Sequence, residues 1–129
     1  MKKTIALIFA VLLIFSLVGC SKYISSYKAF MLVTEKDSQR VKMSFSSFEG
    51  TRVFDLRCPD GSGELVYSAE IEEGSATVFI DVNGTKTELF KLGAGDKISS
   101  SIKIDEKYVY VIIETTAKCE NGKFEFNVK

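Results

Sequence analysis

The three cysteines are the side chains with the most distinctive chemistry in this chain. Cys20 ends an apolar leader, whereas Cys58 and Cys119 lie far downstream. Cys58 has the same alternation parity as Phe54 and Leu56, so we expect it to point inward, and we expect the same of Cys119. In an exported protein such a pair is oxidised to a disulfide or stays as two buried free thiols. The sequence leaves both states of Cys58 and Cys119 open.

Histidine and tryptophan are absent from the chain. Without histidine, Ser–His and Cys–His nucleophile pairs cannot be built, and the commonest transition-metal ligand is missing. Two thiols alone do not supply the four ligands of a structural zinc site. Carboxylates are numerous, but no two of them stand out as an acid–base pair. We therefore expect no enzymatic activity, no metal site and no cofactor.

Aromatic side chains supply a candidate binding surface. If Val109, Val111 and Ile113 face the core, their neighbours along the strand face the other way. The predicted outer surface consists of Phe79, Phe90, Tyr108, Tyr110 and Ile112. An exposed aromatic patch is typical of a ligand or partner surface. The alternative is a central strand whose outer face is covered by a loop or by an edge of the other sheet.

The first twenty residues have the parts of an export signal. Two lysines, Lys2-Lys3, precede an apolar run of 14 residues, Ile5–Val18, which leads into Leu17-Val18-Gly19-Cys20. A basic start and an apolar stretch of this length fit a secretory signal. The whole arrangement resembles the signal peptide and lipobox of bacterial lipoproteins.

This resemblance implies cleavage before Cys20 and attachment of lipid to its sulfur and its new N-terminus. Two or more acyl chains hold a protein on a membrane stably, whereas one chain does not. The alternative is an uncleaved membrane helix, since Thr4–Ser21 is 18 residues long and carries no charge. In either case residues 22–129 are expected outside the cytoplasm, on a bacterial membrane.

The chain divides into three predicted parts. Residues 1–19 form the signal peptide, residues 20–26 hold the lipidated Cys20 and a short tether, and residues 27–129 form one domain. Removal of residues 1–19 leaves 110 residues with 15 basic and 17 acidic side chains, a net charge near −2. Because no basic run is present, we expect no binding of nucleic acid.

The residues after the tether alternate between apolar and polar with period two, and turn signals recur about every ten residues. This pattern predicts an all-β fold, an antiparallel β-sandwich of about nine strands that is Ig-like or jelly-roll-like. The nine strands are expected to begin near Tyr27, Arg40, Thr51, Glu64, Ala76, Thr85, Lys97, Tyr108 and Lys123.

Two Asn-Gly pairs predict tight hairpins, because Asn-Gly favours a two-residue type I′ turn. One is Asn83-Gly84, where Asp81 would oppose Lys86, and the other is Asn121-Gly122. These hairpins would fix the pairing of the strands on either side.

The sequence thus predicts a lipid-anchored module of the cell envelope that binds or assembles without catalysis. Its expected partners are the membrane, through the N-terminal lipid, and an envelope protein or polysaccharide. The alternative is binding of carbohydrate or another small ligand on the aromatic outer face.

Overall fold

Alternating apolar and polar residues build seven antiparallel strands in the computed structural model, which describes residues 23–129. Cys20 and the leader lie outside the described residues. The strands are β1 (Ser26–Phe30), β2 (Val33–Lys36), β3 (Arg40–Arg57), β4 (Gly63–Asp81), β5 (Lys86–Leu92), β6 (Lys97–Ile104) and β7 (Tyr108–Val128). No helix within this part of the chain is long and apolar enough to cross a membrane.

The three longest strands bend in the middle, and the single sheet therefore folds over onto itself. The pairing register shifts between Phe48 and Thr51 on β3 and on either side of Ser75 on β4. Gly50 and Gly74 lie at these shifts with positive φ angles of 128° and 98°. Such backbone angles suit glycine, which has no Cβ to clash. The bends produce an antiparallel β-sandwich with strands that run through both layers.

Each layer has five strand segments. Layer I contains β2, the first half of β3, the second half of β7, the first half of β4, and β6. Layer II contains β1, the second half of β3, the first half of β7, the second half of β4, and β5. β7 is therefore the central strand of both layers, between β3 and β4.

The core lies between the layers. In β3, Val41 and Met43 point inward before the bend, and Phe54 and Leu56 point inward after it, so the inward parity changes from odd to even. The change falls between Phe45 and Phe48, which are both buried. The prediction that Cys58 faces inward with Phe54 and Leu56 is confirmed.

The prediction of an all-β sandwich is confirmed, but the strand count is seven rather than nine. The strand breaks expected before Thr51, Ala76 and Lys123 are instead bends inside continuous strands. One short strand, β2, was not expected from the sequence. Three pairs of predicted strands therefore merge into β3, β4 and β7.

The prediction of a hairpin at Asn121-Gly122 is wrong. Asn121 has a positive φ of 49°, as the hairpin would require, but the strand continues through it. A Cβ on Gly122 would lie 2.5 Å from the Cζ atom of Phe45 and 3.0 Å from a methyl carbon of Ile71. The glycine is thus needed for close packing at the bend of β7 and not for a chain reversal.

The turn predicted at Asn83-Gly84 does join β4 to β5. Asp81 pairs with Lys86, as expected. Positive φ is recorded at Gly84 and not at Asn83, so the turn is not type I′. The backbone N–H of Gly84 donates to Oδ1 of Asp81 at 2.7 Å, and this bond closes the turn.

Candidate functional site

The outer face of layer I carries a groove built from rows of polar side chains. One row crosses four strands, with Glu125 paired to Lys42 and to Ser68, and Ser68 paired to Ser99. Because alternate residues of a strand share a face, the next outward row lies two residues along. In that row Glu70 pairs with Lys123 on one side and with Lys97 on the other.

Three shallow depressions on this face each have Glu70 in their lining. Their volumes are about 190, 370 and 410 Å³. We call the three depressions together the Glu70 groove. Its polar lining includes Lys42, Ser44, Ser46, Ser68, Glu70, Glu72, Asp96, Lys97, Ser99, Asn121, Lys123 and Glu125.

Charges of both signs alternate along the Glu70 groove. The Nζ atom of Lys97 lies 3.9 Å from Oε2 of Glu70. Both side chains are exposed to solvent, so this ion pair is worth a few tenths of a kcal/mol. The groove consequently presents hydrogen-bond donors and acceptors side by side without a strong net field.

One end of the Glu70 groove is apolar. Met31, which lines it, is 68% exposed and has a positive φ of 54°. Val33 pairs with Ser44 at the same edge and is 58% exposed. An exposed apolar surface next to a polar groove is typical of a binding site.

The predicted aromatic surface is only partly present on the outer face of layer II. Tyr108 is 53% exposed. Tyr110 and Phe79 are half-buried, and Ile112 is buried between its strand neighbours Val53 and Phe79. The strand that carries Tyr108, Tyr110 and Ile112 is central, which agrees with the covered-strand alternative.

The prediction that Phe90 lies on this outer surface is wrong. The register between β4 and β5 shifts between Val78 and Phe79, so Val78 pairs with Phe90. This bulge turns Phe90 into the core, where its ring stacks on Tyr67. Leu89, next to it, is only partly buried.

Cys58 and Cys119 are buried as predicted, but they are free thiols and not a disulfide. Cys119 on β7 pairs with Phe48 on β3. Cys58 follows the end of β3, ten residues after Phe48, and its backbone N–H donates to the carbonyl oxygen of Lys107.

Burial raises the pKa values of both thiols. The pKa of Cys119 rises to about 11, chiefly because burial desolvates the thiolate. Desolvation raises the pKa of Cys58 as well. Such thiols are unreactive at neutral pH. No cluster of three or more metal-ligating side chains is found within residues 23–129.

The first described residues of the chain pack against the outer face of layer II. The hydroxyl of Tyr23 donates to Oδ2 of Asp81, and the Tyr23 ring packs edge-on against Tyr110 with centroids 5.5 Å apart. Two residues later, Oγ of Ser25 accepts a bond of 2.8 Å from the N–H of Val53. We call this set of contacts the Tyr23 latch. The tether residues 23–25 therefore lie across the sheet.

The environment of Tyr23 raises its pKa to about 12. Desolvation is the largest cause, followed by the hydrogen bond to Asp81 and the negative charge of that carboxylate. The neutral phenol is thus favoured in the folded protein.

The Glu70 groove was missed by reasoning from sequence. The sequence does show polar residues alternating with inward apolar ones, as in Lys42-Met43-Ser44 and Ser68-Ala69-Glu70. These residues meet only because β3, β7, β4 and β6 are neighbours in that order. Strand order cannot be deduced from one sequence, so each alternation indicated a solvated face and nothing more.

Several solved structures are similar to this chain at low sequence identity. The carbohydrate-binding module TmCBM61, solved in complex with β-1,4-galactotriose, is 12% identical over 81% of this chain and 87% of that one, with a TM-score of 0.48. A family 29 carbohydrate-binding module is 11% identical over 81% and 75%, with a TM-score of 0.41. The Drosophila melanogaster CENP-C cupin domain is 16% identical over 81% and 69%, with a TM-score of 0.33.

No family model matches the chain, and no curated protein sequence matches it. None of the structural likenesses is strong enough to assign a ligand.

Proposed function

We propose that this protein is a lipid-anchored, extracytoplasmic module of the bacterial cell envelope that binds polysaccharide in the Glu70 groove without catalysis. The observation that carries the proposal is the presence of three depressions around Glu70 on one polar sheet face. We therefore propose the outer face of layer I, and not the aromatic face of layer II, as the binding surface.

The chemistry of the Glu70 groove supports a ligand rich in hydroxyl groups. Carboxylates such as Glu70 and Glu125 accept hydrogen bonds, ammonium groups such as Lys123 donate them, and serine hydroxyls do both. Sugar hydroxyls need donors and acceptors at short intervals. A strongly charged ligand would instead require an excess of one sign of charge, which this groove does not offer.

The shape of the groove and its apolar end support the same ligand class. The groove is open and runs across several strands, so a chain of sugar units can lie along it. Met31 and Val33 at one end offer an apolar surface to the non-polar face of a sugar ring. On layer II, by contrast, Tyr108 alone of the five predicted surface residues is largely exposed.

The leader supports the anchoring part of the proposal. Its basic start, apolar run and Cys20 match a lipobox signal. The Tyr23 latch begins three residues after Cys20, so the folded domain would lie directly against its anchor. A protein so placed works at the membrane surface.

Binding of the full chain in detergent micelles to polysaccharide purified from its own envelope tests the proposal. Glu70→Ala is expected to weaken binding at least tenfold, since a charge-assisted hydrogen bond contributes roughly 1.5–3 kcal/mol. The matched control is Glu106→Ala, the same change at an exposed acid between β6 and β7. Equal affinity of both variants and the parent protein, or no binding at all, would refute the groove as a polysaccharide site.

A second candidate function is assembly with an envelope protein at the β1–β2 edge. Phe30, Met31 and Val33 are 64%, 68% and 58% exposed along this edge. Edge strands with exposed apolar side chains readily pair with another chain. Cross-linking in native membranes should capture a partner from the parent protein but not from Phe30→Ser. Capture that is unchanged in Phe30→Ser would rule out this edge as the contact.

A further inference from the structure

The described chain starts in the middle of a sheet face and not at a free end of the domain. The Tyr23 latch holds the backbone over β7 and β4 through Tyr110 and Asp81, and then over β3 through Val53. A tether fixed at three strands cannot swing freely. The backbone at Tyr23 is consequently fixed on the outer face of layer II.

The distance from the latch to the lipid attachment residue is short. Cys20 precedes Tyr23 by three residues, and three extended residues reach at most about 11 Å. The headgroup region on each side of a bilayer is roughly 5–8 Å thick. A lipid attached at Cys20 would therefore bring the outer face of layer II to the level of the headgroups.

The exposed side chains on that face suit a membrane interface. Tyr108 is 53% exposed, and the guanidinium carbon of Arg57 lies 5.7 Å from the centre of its ring. Tyrosine is enriched at the headgroup level, and arginine binds the anionic headgroups there. Lys107, adjacent to Tyr108 in the chain, adds a second exposed positive charge.

Acidic groups on the same face are engaged by partners within the domain. Asp81 accepts from Tyr23, and the Oε2 atom of Glu114 lies 2.7 Å from Nζ of Lys86. Asp55 lies 3.6 Å from Nζ of Lys36. These partners reduce the repulsion that anionic lipids would meet at this face.

From these observations, and on the basis of the anchoring proposed above, we infer that the Tyr23 latch orients the domain on the bilayer. The Tyr108 face of layer II contacts phospholipid headgroups, and the Glu70 groove on the opposite layer opens away from the membrane. The latch thus acts as an orienting device. A free tether would let either layer approach the lipid.

Single-tryptophan variants can test this orientation, because the chain has no tryptophan of its own. Tyr108→Trp reports on the layer II face, and Ser101→Trp reports on an exposed position of β6 in layer I. Each lipidated full-length variant is reconstituted in vesicles of phosphatidylcholine and phosphatidylglycerol. Brominated phosphatidylcholine then quenches any tryptophan that contacts the lipid.

We expect quenching at least twofold greater for Tyr108→Trp than for Ser101→Trp. Adding Tyr23→Ala to each reporter is expected to bring the ratio close to one. Circular dichroism of the Tyr23→Ala variants checks that the domain stays folded. Equal quenching of the two reporters with the latch intact, or a ratio that does not change without Tyr23, would overturn the orientation.

The same preparations separate a failure of orientation from a failure of anchoring. Protein that pellets with the vesicles and carries lipid on Cys20, yet shows no contrast between the reporters, overturns the orientation alone. Protein that stays in the supernatant with an unmodified Cys20 overturns both the anchoring and the orientation.

Discussion

Tyr67 on β4 and Phe90 on β5 stack with their ring planes 9° apart and their centroids 5.2 Å apart. This contact joins the two layers and exists only because the bulge beside Val78 turns Phe90 inward. Phe90→Ala is therefore expected to lower the free energy of unfolding by about 3–5 kcal/mol. Denaturant titration measures the loss.

The neighbouring Leu89 is the control for this register. It is only partly buried, so Leu89→Ala should cost about 1 kcal/mol, well below the Phe90 variant. A larger loss for Leu89→Ala than for Phe90→Ala would mean that β5 has no bulge and that Phe90 faces outward.

The bend of β4 depends on Gly74. A Cβ at this position would lie 2.2 Å from the carbonyl oxygen of Lys118, and the backbone φ is +98°. Gly74→Ala is expected to destabilise the protein by about 3 kcal/mol, from the backbone clash and the strained φ together. Thermal unfolding followed by circular dichroism measures the effect.

Gly95 provides the comparison, because it also has a positive φ but no atom within 4 Å of an added Cβ. Gly95→Ala should cost about 1 kcal/mol from backbone strain alone. Equal stability of Gly74→Ala and Gly95→Ala would mean that the bend of β4 does not depend on close backbone packing at Gly74.

These bends also show how far the sequence could predict the fold. Period-two alternation placed Cys58, Val109 and Val111 correctly on inner faces, because that pattern depends only on local geometry. Asn121-Gly122 failed as a hairpin signal, because a positive φ serves a bend as well as a turn. The choice between them depends on pairing with Phe45 and Ile71, which is not a local property.

The candidate site was less predictable than the fold. Outward positions such as Ser68 and Glu70 were identifiable, but their assembly with Lys123 and Lys97 requires the strand order. The contact between Tyr23 and Tyr110 could not be predicted either, since the two residues are far apart in the sequence. The sequence shows that Cys20 and Tyr23 are three residues apart. This spacing bears on the orientation of the domain only when the contacts of Tyr23 are known.

Glu73 and Glu120 lie opposite each other on β4 and β7. A hydrogen bond between their side chains and the negative charge of Glu120 raise the pKa of Glu73 above its usual range. An acid with a raised folded-state pKa binds protons more tightly when folded, so stability falls as pH rises through that pKa. Glu73→Gln should raise the melting temperature at pH 7 and lose this advantage in acid.

Melting curves of Glu73→Gln and the control Glu106→Gln across the acidic range check the sign. The control should follow the parent protein throughout. A lower melting temperature for Glu73→Gln at neutral pH would mean that the carboxylate pair is not repulsive.

Thiol titration examines the cysteines and the anchor together. In the folded protein, Cys58 and Cys119 should not react at neutral pH, because both are buried and their pKa values are raised. In denaturant without reductant, protein from membranes should show two reactive thiols, since the sulfur of Cys20 is expected to carry lipid.

A count of zero or three reactive thiols would contradict this account. No reactive thiol in denaturant, with a melting temperature that falls on reduction, would show that Cys58 and Cys119 are bonded. Three reactive thiols would show that Cys20 is unmodified.

Chemical-shift mapping of the isotope-labelled full chain in micelles is the most direct test of the Glu70 groove. During titration with polysaccharide from the native envelope, the largest shifts are expected at the backbone amides of Ser68, Glu70, Ser99 and Lys123, with Tyr108 and Tyr110 unmoved. Shifts centred on Tyr108, or no shift at saturating polysaccharide, would contradict the assignment of this groove as the binding site.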